Sequence, residues 1–176
     1  MKKKLLLAGL LVVLLTMVAY QFGTGEELQG KFSPSTSLST SLTQPEALKM
    51  LVEDALGKAK PSSRPTTACT FSSVSSEYSS YYITACEKGW ISEEWADPTR
   101  YANKEEISTA ACKVYSVADY SPSTASFTDV SSSSTYYKCI EGLNHVGAFS
   151  STSGTFGLSD TVTKAFMLYM TGHMAP

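Results

Sequence analysis

An α+β fold is the class this sequence predicts: a small, disulfide-stabilised exported domain with about three helices and short strands, behind a signal peptide or signal-anchor helix. Three observations carry that expectation. Helix-start chemistry recurs near Thr43, Asn103 and Ser159–Asp160. The stretches between are crowded with Ser, Thr and Tyr, which favour strands and turns. Four Cys follow an export-type leader, the usual setting of a disulfide framework.

Met1 to Lys4 is a basic start, and Leu5 to Tyr20 is an uncharged apolar run, the pattern of an export signal. Gly23 and Gly25 meet the small-residue rule for cleavage, which would leave Glu26 as the new N-terminus. Retained instead, residues 5–22 would attach the chain to a membrane. Sixteen helical residues reach about 24 Å, short of the ~30 Å hydrocarbon layer unless Gln21 and Phe22 are drawn in. Residues 1–25 are therefore read as signal peptide or membrane anchor, with the domain outside the cytoplasm, periplasmic or extracellular. The leader ending at Gly9 before Leu10-Leu11-Val12-Val13 also resembles a type IV prepilin leader, which implies a pilin-like filament subunit. The sequence departs from that family's pattern where Leu14 takes the place of an acidic residue and where Gly23-Thr24-Gly25 interrupts the helix.

Residues 26–43 read as a flexible Ser/Thr-rich tether, too polar and irregular to bury a core. A single α+β domain is expected over 44–176. Thr43 and Glu46 form a capping box, Pro45 occupies the first turn and Gly57 ends the helix, whose face of Ala47, Leu48, Leu51, Val52, Ala55 and Leu56 is core or a docking surface. Lys58 to Pro65 is a loop. A second helix starts at Asn103 with Glu105 and Glu106 against the positive end of its dipole, turning Ile107, Ala110, Ala111, Val114 and Ala118 inward. A third runs from Ser159 or Asp160 to Thr171, with Val162, Ala165, Phe166, Tyr169 and Met170 inward and Gly172 as its stop.

An internal repeat is suggested between 67–89 and 110–142. Ala68-Cys69 parallels Ala111-Cys112, and each copy later carries a Tyr pair before a Cys and a Gly: Tyr81-Tyr82 with Cys86 and Gly89, Tyr136-Tyr137 with Cys139 and Gly142. Four Cys allow three pairings; if the repeat is real, Cys69 with Cys86 and Cys112 with Cys139 is the symmetric one. No pair has zinc-knuckle spacing and there are only two His, so neither a metal nor a cofactor is expected.

Charge narrows the function classes. Downstream of residue 25, 11 Lys and Arg face 16 Asp and Glu, a net charge of −5, which makes nucleic acid a poor partner. Polarity is supplied instead by 27 Ser and 19 Thr, with 10 Tyr. Catalytic constellations are thin. His145 sits between glycines near Ser150, Ser151 and Ser153, and His173 lies near the C-terminus; neither has an oriented partner in sequence. Glu87, Glu93, Glu94 and Asp97 beside Trp90 and Trp95 would suit a sugar, but Ser92-Glu93-Glu94 also reads as helix-start chemistry. Tyr and Ser together make a recognition surface, so Tyr81, Tyr82, Tyr136, Tyr137, Trp90 and Trp95 are the candidate contact residues. The expectation is a non-enzymatic envelope or extracellular binding or accessory module with a protein or glycan partner. The alternative is a small secreted hydrolase or inhibitor-like effector.

The Cys reading is directly checkable. Thiol titration of the native protein under denaturing, non-reducing conditions should find none of the four Cys free; two or more reactive thiols would contradict it.

Overall fold

Three short segments meet head to tail in a closed ring of backbone hydrogen bonds. Leu42 N–H donates to the Val162 carbonyl (2.9 Å), Val162 N–H to Ala102 (2.8 Å), and Ala102 N–H back to Leu42 (3.0 Å). These residues are sixty positions apart, and so are the next donors outward: Gln44 to Arg100, Lys104 to Asp160 and Lys164 to Thr40, each 3.0 Å. One step further, Glu105 donates to Leu158 and Ala165 to Leu38; at the corresponding place in the first copy stands Pro45, which has no N–H. The described part of the unit from Leu38 onward thus has a pseudo-threefold axis. The computed structural model in which it is seen describes residues 37–61 and 69–174, so the leader and the first part of the tether lie outside the described residues.

Each ring segment runs directly into a long helix: α1 (Gln44–Ala55), α3 (Lys104–Val114) and α5 (Lys164–Met174). Two shorter helices, α2 (Ser79–Glu87) and α4 (Tyr137–His145), and a single 3₁₀ turn at Glu93–Trp95 complete the described elements. The predicted starts at Thr43 and Asn103 are formed, each with its capping box, Thr43 with Glu46 and Asn103 with Glu106. α1 packs against α3 and α5, while α2 lies on α1 and α4 on α3.

The α+β expectation gives way to a mostly helical fold. Among the described residues there are only isolated bridges, Ser41 with Thr163, Thr43 with Tyr101, Asn103 with Thr161 and Phe127 with Gly154. The ring explains the first three. A segment that pairs with a different neighbour on each side, and then turns into a helix, has no length left for a ladder. The Tyr-rich stretches expected as strands form α2 and α4. Tyr is an ordinary helix former, and burying large rings outweighs a propensity difference of a few tenths of a kcal/mol.

Two boundaries move. The tether expected through Thr43 stops earlier, because Leu38 onward belongs to the folded unit and Leu42 is buried in the core. α5 begins at Lys164 rather than at Ser159 or Asp160, since Val162 is committed to the ring. That rotates the apolar face: Met167, Met170 and Thr171 point inward, whereas Ala165 and Tyr169 are exposed. Gly172 does not end the helix, which runs on to Met174. In α3, Ile107, Ala110 and Ala111 are buried as expected, but Ala118 lies beyond the helix and is exposed.

The repetition also has a different register from the one expected. Cys69 lies outside any helix and Cys112 inside α3, so the two stretches, 67–89 and 110–142, are not equivalent. The backbone equates Phe71 and Val74 with Phe127 and Val130, then α2 with α4. It next equates Gly89 with Gly147, both at positive φ, 70° and 82°. After each glycine the chain folds back alike, Trp90 N–H onto the Ala85 carbonyl (2.8 Å) and Ala148 N–H onto Leu143 (2.9 Å). Both disulfides are formed, Cys69 with Cys86 and Cys112 with Cys139. The second ties α3 to α4. Loops of this size stabilise a fold by about 3 kcal/mol each in the chain-entropy model.

The ring makes a contrast between two proline substitutions. Ala102→Pro removes a ring donor in the core and should lower unfolding free energy by about 3 kcal/mol or more. Lys164→Pro removes an outer donor at the first helical position, where Pro is tolerated, and should cost about 1 kcal/mol. Urea unfolding of both variants checks this; equal effects would mean that the ring has no special weight.

Candidate functional site

The residues around Lys104 form an open groove. Lys104 is the first residue of α3, and its Nζ donates to the Phe156 carbonyl (2.7 Å) and to Asp160 Oδ2 (3.1 Å). It also stands over the Phe156 and Phe166 rings, 5.6 and 5.9 Å from their centroids. Beneath it Phe127, Phe149, Phe156 and Phe166 form a contiguous aromatic cluster. A cavity of about 540 Å³ opens beside the amine, walled by Ser150, Asp160, Thr161, Thr163, Ala165, Phe166 and Tyr169. Tyr169 is stacked on His173 at 4.1 Å.

One carboxylate holds the wall of this groove in place. Asp129 accepts the backbone N–H of Phe156 (2.7 Å), Gly157 (2.7 Å) and Leu158 (3.4 Å). Burial works against its ionised form, but these N–H groups outweigh it and hold the carboxyl below its ordinary range. Gly157 lies at φ +77°, and a Cβ there would come within 1.9 Å of Asp160 Oδ2. A side chain at 157 would therefore strain the backbone and displace the carboxylate that pairs with Lys104.

Sixty residues earlier the same place is filled by the protein itself. Gln44, the counterpart of Lys104, is fully buried. Its Nε2 donates to the Trp95 carbonyl (2.8 Å), and its Oε1 accepts the Tyr82 hydroxyl (3.0 Å) and Asp97 N–H (2.7 Å). Glu106, the counterpart of Phe166, takes a bidentate pair from the Arg100 guanidinium. That pairing raises the Arg100 pKa further against the opposing effect of burial. One groove is thus closed by its own polar network and the other is open.

A second cavity, of about 530 Å³, lies where the long helices end, between Asp54, Ala55, Gly57, Lys58, Val114, Tyr115 and Met174. The Tyr115 hydroxyl donates to Asp54 Oδ2 at 2.5 Å. Burial and that bond raise the phenol pKa, so it remains a donor. This cavity has a single aromatic wall and fewer hydroxyls than the Lys104 groove.

Of the residues singled out in the sequence, Tyr82, Trp95 and Asp97 meet around Gln44, and His145 lies apart, on Tyr120. Tyr81, Tyr82 and Tyr137 are buried in the core, and Tyr136 precedes α4, packed against it. None lies on a strand. Tyr81 donates to Glu53 Oε1 (2.7 Å), and burial together with that bond pushes its pKa up to about 12. Trp90 and Trp95 are half-buried, Trp90 beneath Lys88 and Trp95 against Tyr82. His145 is exposed and stacked on Tyr120 at 4.2 Å. Glu93 accepts Thr70 N–H, and Asp97 accepts Thr99 N–H and hydroxyl and pairs with Arg100. Among the described residues no cluster of three or more His, Cys, Asp or Glu could hold a metal ion, and no helix is long and apolar enough to cross a membrane. Lys104 and Ser150 were not legible as site residues. The available signal was positional: Gln44, Lys104 and Lys164 recur at sixty-residue spacing.

Asp129 gives a pH prediction. Its pKa is depressed in the folded state, so its stabilising effect is present above the unfolded value of about 3.9 and is lost as pH falls through the folded value. Melting temperature should fall on acidification below about pH 4, and Asp129→Asn should be less stable at neutral pH while losing part of that acid dependence. An unchanged acid profile in the variant would reject this role.

Comparison with known proteins brings no match for this chain, whether among family models, characterised proteins or solved structures.

Proposed function

We propose that the chain is an exported, non-enzymatic binding or accessory module whose contact site is the Lys104 groove. The observation that carries this reading is the contrast between the two equivalent grooves. The polar network of Gln44, Arg100 and Glu106 closes one, whereas the other keeps an amine, an aromatic wall and several hydroxyls facing open space. Rings beside hydrogen-bonding groups suit a ligand with alternating apolar and hydroxyl faces, such as a glycan. The two disulfides support an oxidising compartment, periplasmic or extracellular. Residues 1–25 then serve as signal peptide or membrane anchor, and residues 5–22 provide any membrane attachment. No feature of the groove calls for a cofactor.

The test is binding to a panel of immobilised neutral and acidic oligosaccharides and to envelope extracts. Lys104→Met keeps the stem over the rings but removes the charge. It and Tyr169→Ser should each weaken capture about tenfold, equivalent to 1.4 kcal/mol, with melting temperature preserved. His145→Ala should bind as the parent does. Full binding by both groove variants, or loss in His145→Ala, would turn the reading toward the hydrolase or inhibitor alternative.

A further inference from the structure

The pseudo-threefold axis shows which surface of the described unit is left uncovered. α1 is covered by α2 and α3 by α4. Tyr81 and Tyr82 of α2 reach down to Glu53 and Gln44 of α1, and Cys139 of α4 is bonded to Cys112 of α3. Among the described residues α5 has no such cover; its extensive helix packing is against α1. The consequence is visible at equivalent positions. Leu48 and Ser108 are 0% exposed, whereas Leu168, their counterpart in α5, is 47% exposed. Gly172 stands where the other two helices carry Val52 and Cys112, and a Cβ added to it would meet nothing within 4 Å.

We propose that this face of α5, centred on Leu168 and Gly172, docks an amphipathic helix from a separate protein. The chemistry of the occupant follows from the two covers the protein already has. Each presents apolar side chains three positions apart to its long helix, Tyr82 with Ala85 and Ile140 with Leu143, all buried. Gly172 lowers the surface locally, so the incoming helix approaches closely there. In chain order each cover precedes the next ring segment, and the place that would precede Leu42 falls in the leader. The proposal rests on the export reading, on which that leader is removed or held in a membrane, and it assigns the cover to a second polypeptide. An accessory subunit engaging a helix of a larger assembly is the kind of partner that fits.

The experiment uses the full exported protein and a synthetic peptide of residues 77–91 with Cys86→Ser, which carries the α2 cover in soluble form. The peptide should bind, and hydroxyl-radical footprinting should show Leu168 reactive in the free monomer and protected in the complex. Leu168→Asp and Gly172→Arg, checked for folding by circular dichroism, should each weaken binding at least about tenfold. Lack of peptide binding, equal binding by both variants, or protection of Leu168 already in the free monomer would overturn the proposal. Intact mass and extraction behaviour of the recovered protein test the export reading independently of this surface.

Discussion

The three hydrogen bonds among Leu42, Ala102 and Val162 are the constraint on which the rest of the architecture depends. Their carbonyls and N–H groups are buried with the residues themselves, and an unpaired backbone group in such a place costs about 1–3 kcal/mol. A cyclic arrangement satisfies all three donors without a sheet. It also fixes the direction of the helices that follow, because each segment leaves the ring on the same side of its neighbour. The helix N-termini are therefore gathered at one end of the bundle and the C-termini at the other. Acidic residues fall in the first turns, Glu46 in α1 and Glu105 and Glu106 in α3, with Lys113 in the last turn of α3, as the aligned dipoles favour.

Symmetry of backbone does not mean symmetry of use. Gln44 and Lys104 occupy equivalent helix starts and both reach toward a carbonyl of the loop below, Trp95 in one case and Phe156 in the other. Replacing a neutral amide by a longer cation changes what can surround it. Gln44 is enclosed because its amide finds partners on every side, whereas an ammonium group enclosed in the same way would lose its water for two acceptors. The Lys104 groove stays open for that reason, and the four Phe rings beneath it supply the rigid floor.

Much of the local structure was legible in the sequence and little of the global arrangement was. The starts of α1 and α3 were readable because a capping box is written in residues three positions apart. The ring was not readable, since it is made by backbone groups of Leu, Ala and Val, whose plain aliphatic side chains do not mark the pairing. The Tyr pairs misled because a strand preference is a statement about half-buried surfaces, and Tyr81 and Tyr82 are both inside. The Cys and Tyr echoes drew the repeat into the wrong register. The quieter pattern of Phe71 and Val74 with Phe127 and Val130 marks the true one, and the groove around Lys104 appears only when that register is known.

The disulfides and the ring differ in how far along the chain they reach. Cys69 to Cys86 spans 17 residues and Cys112 to Cys139 spans 27, whereas Leu42 must meet Val162. Short loops close with less loss of chain entropy and sooner than long ones. Oxidation can therefore fasten each short helix to its own neighbourhood while the chain is still emerging, and the ring closes only when its last segment arrives. The order of assembly is local staples first and cyclic closure last, so the part of α1 that packs on α5 stays uncovered until the last segment arrives, after α2 and α3 are already in place.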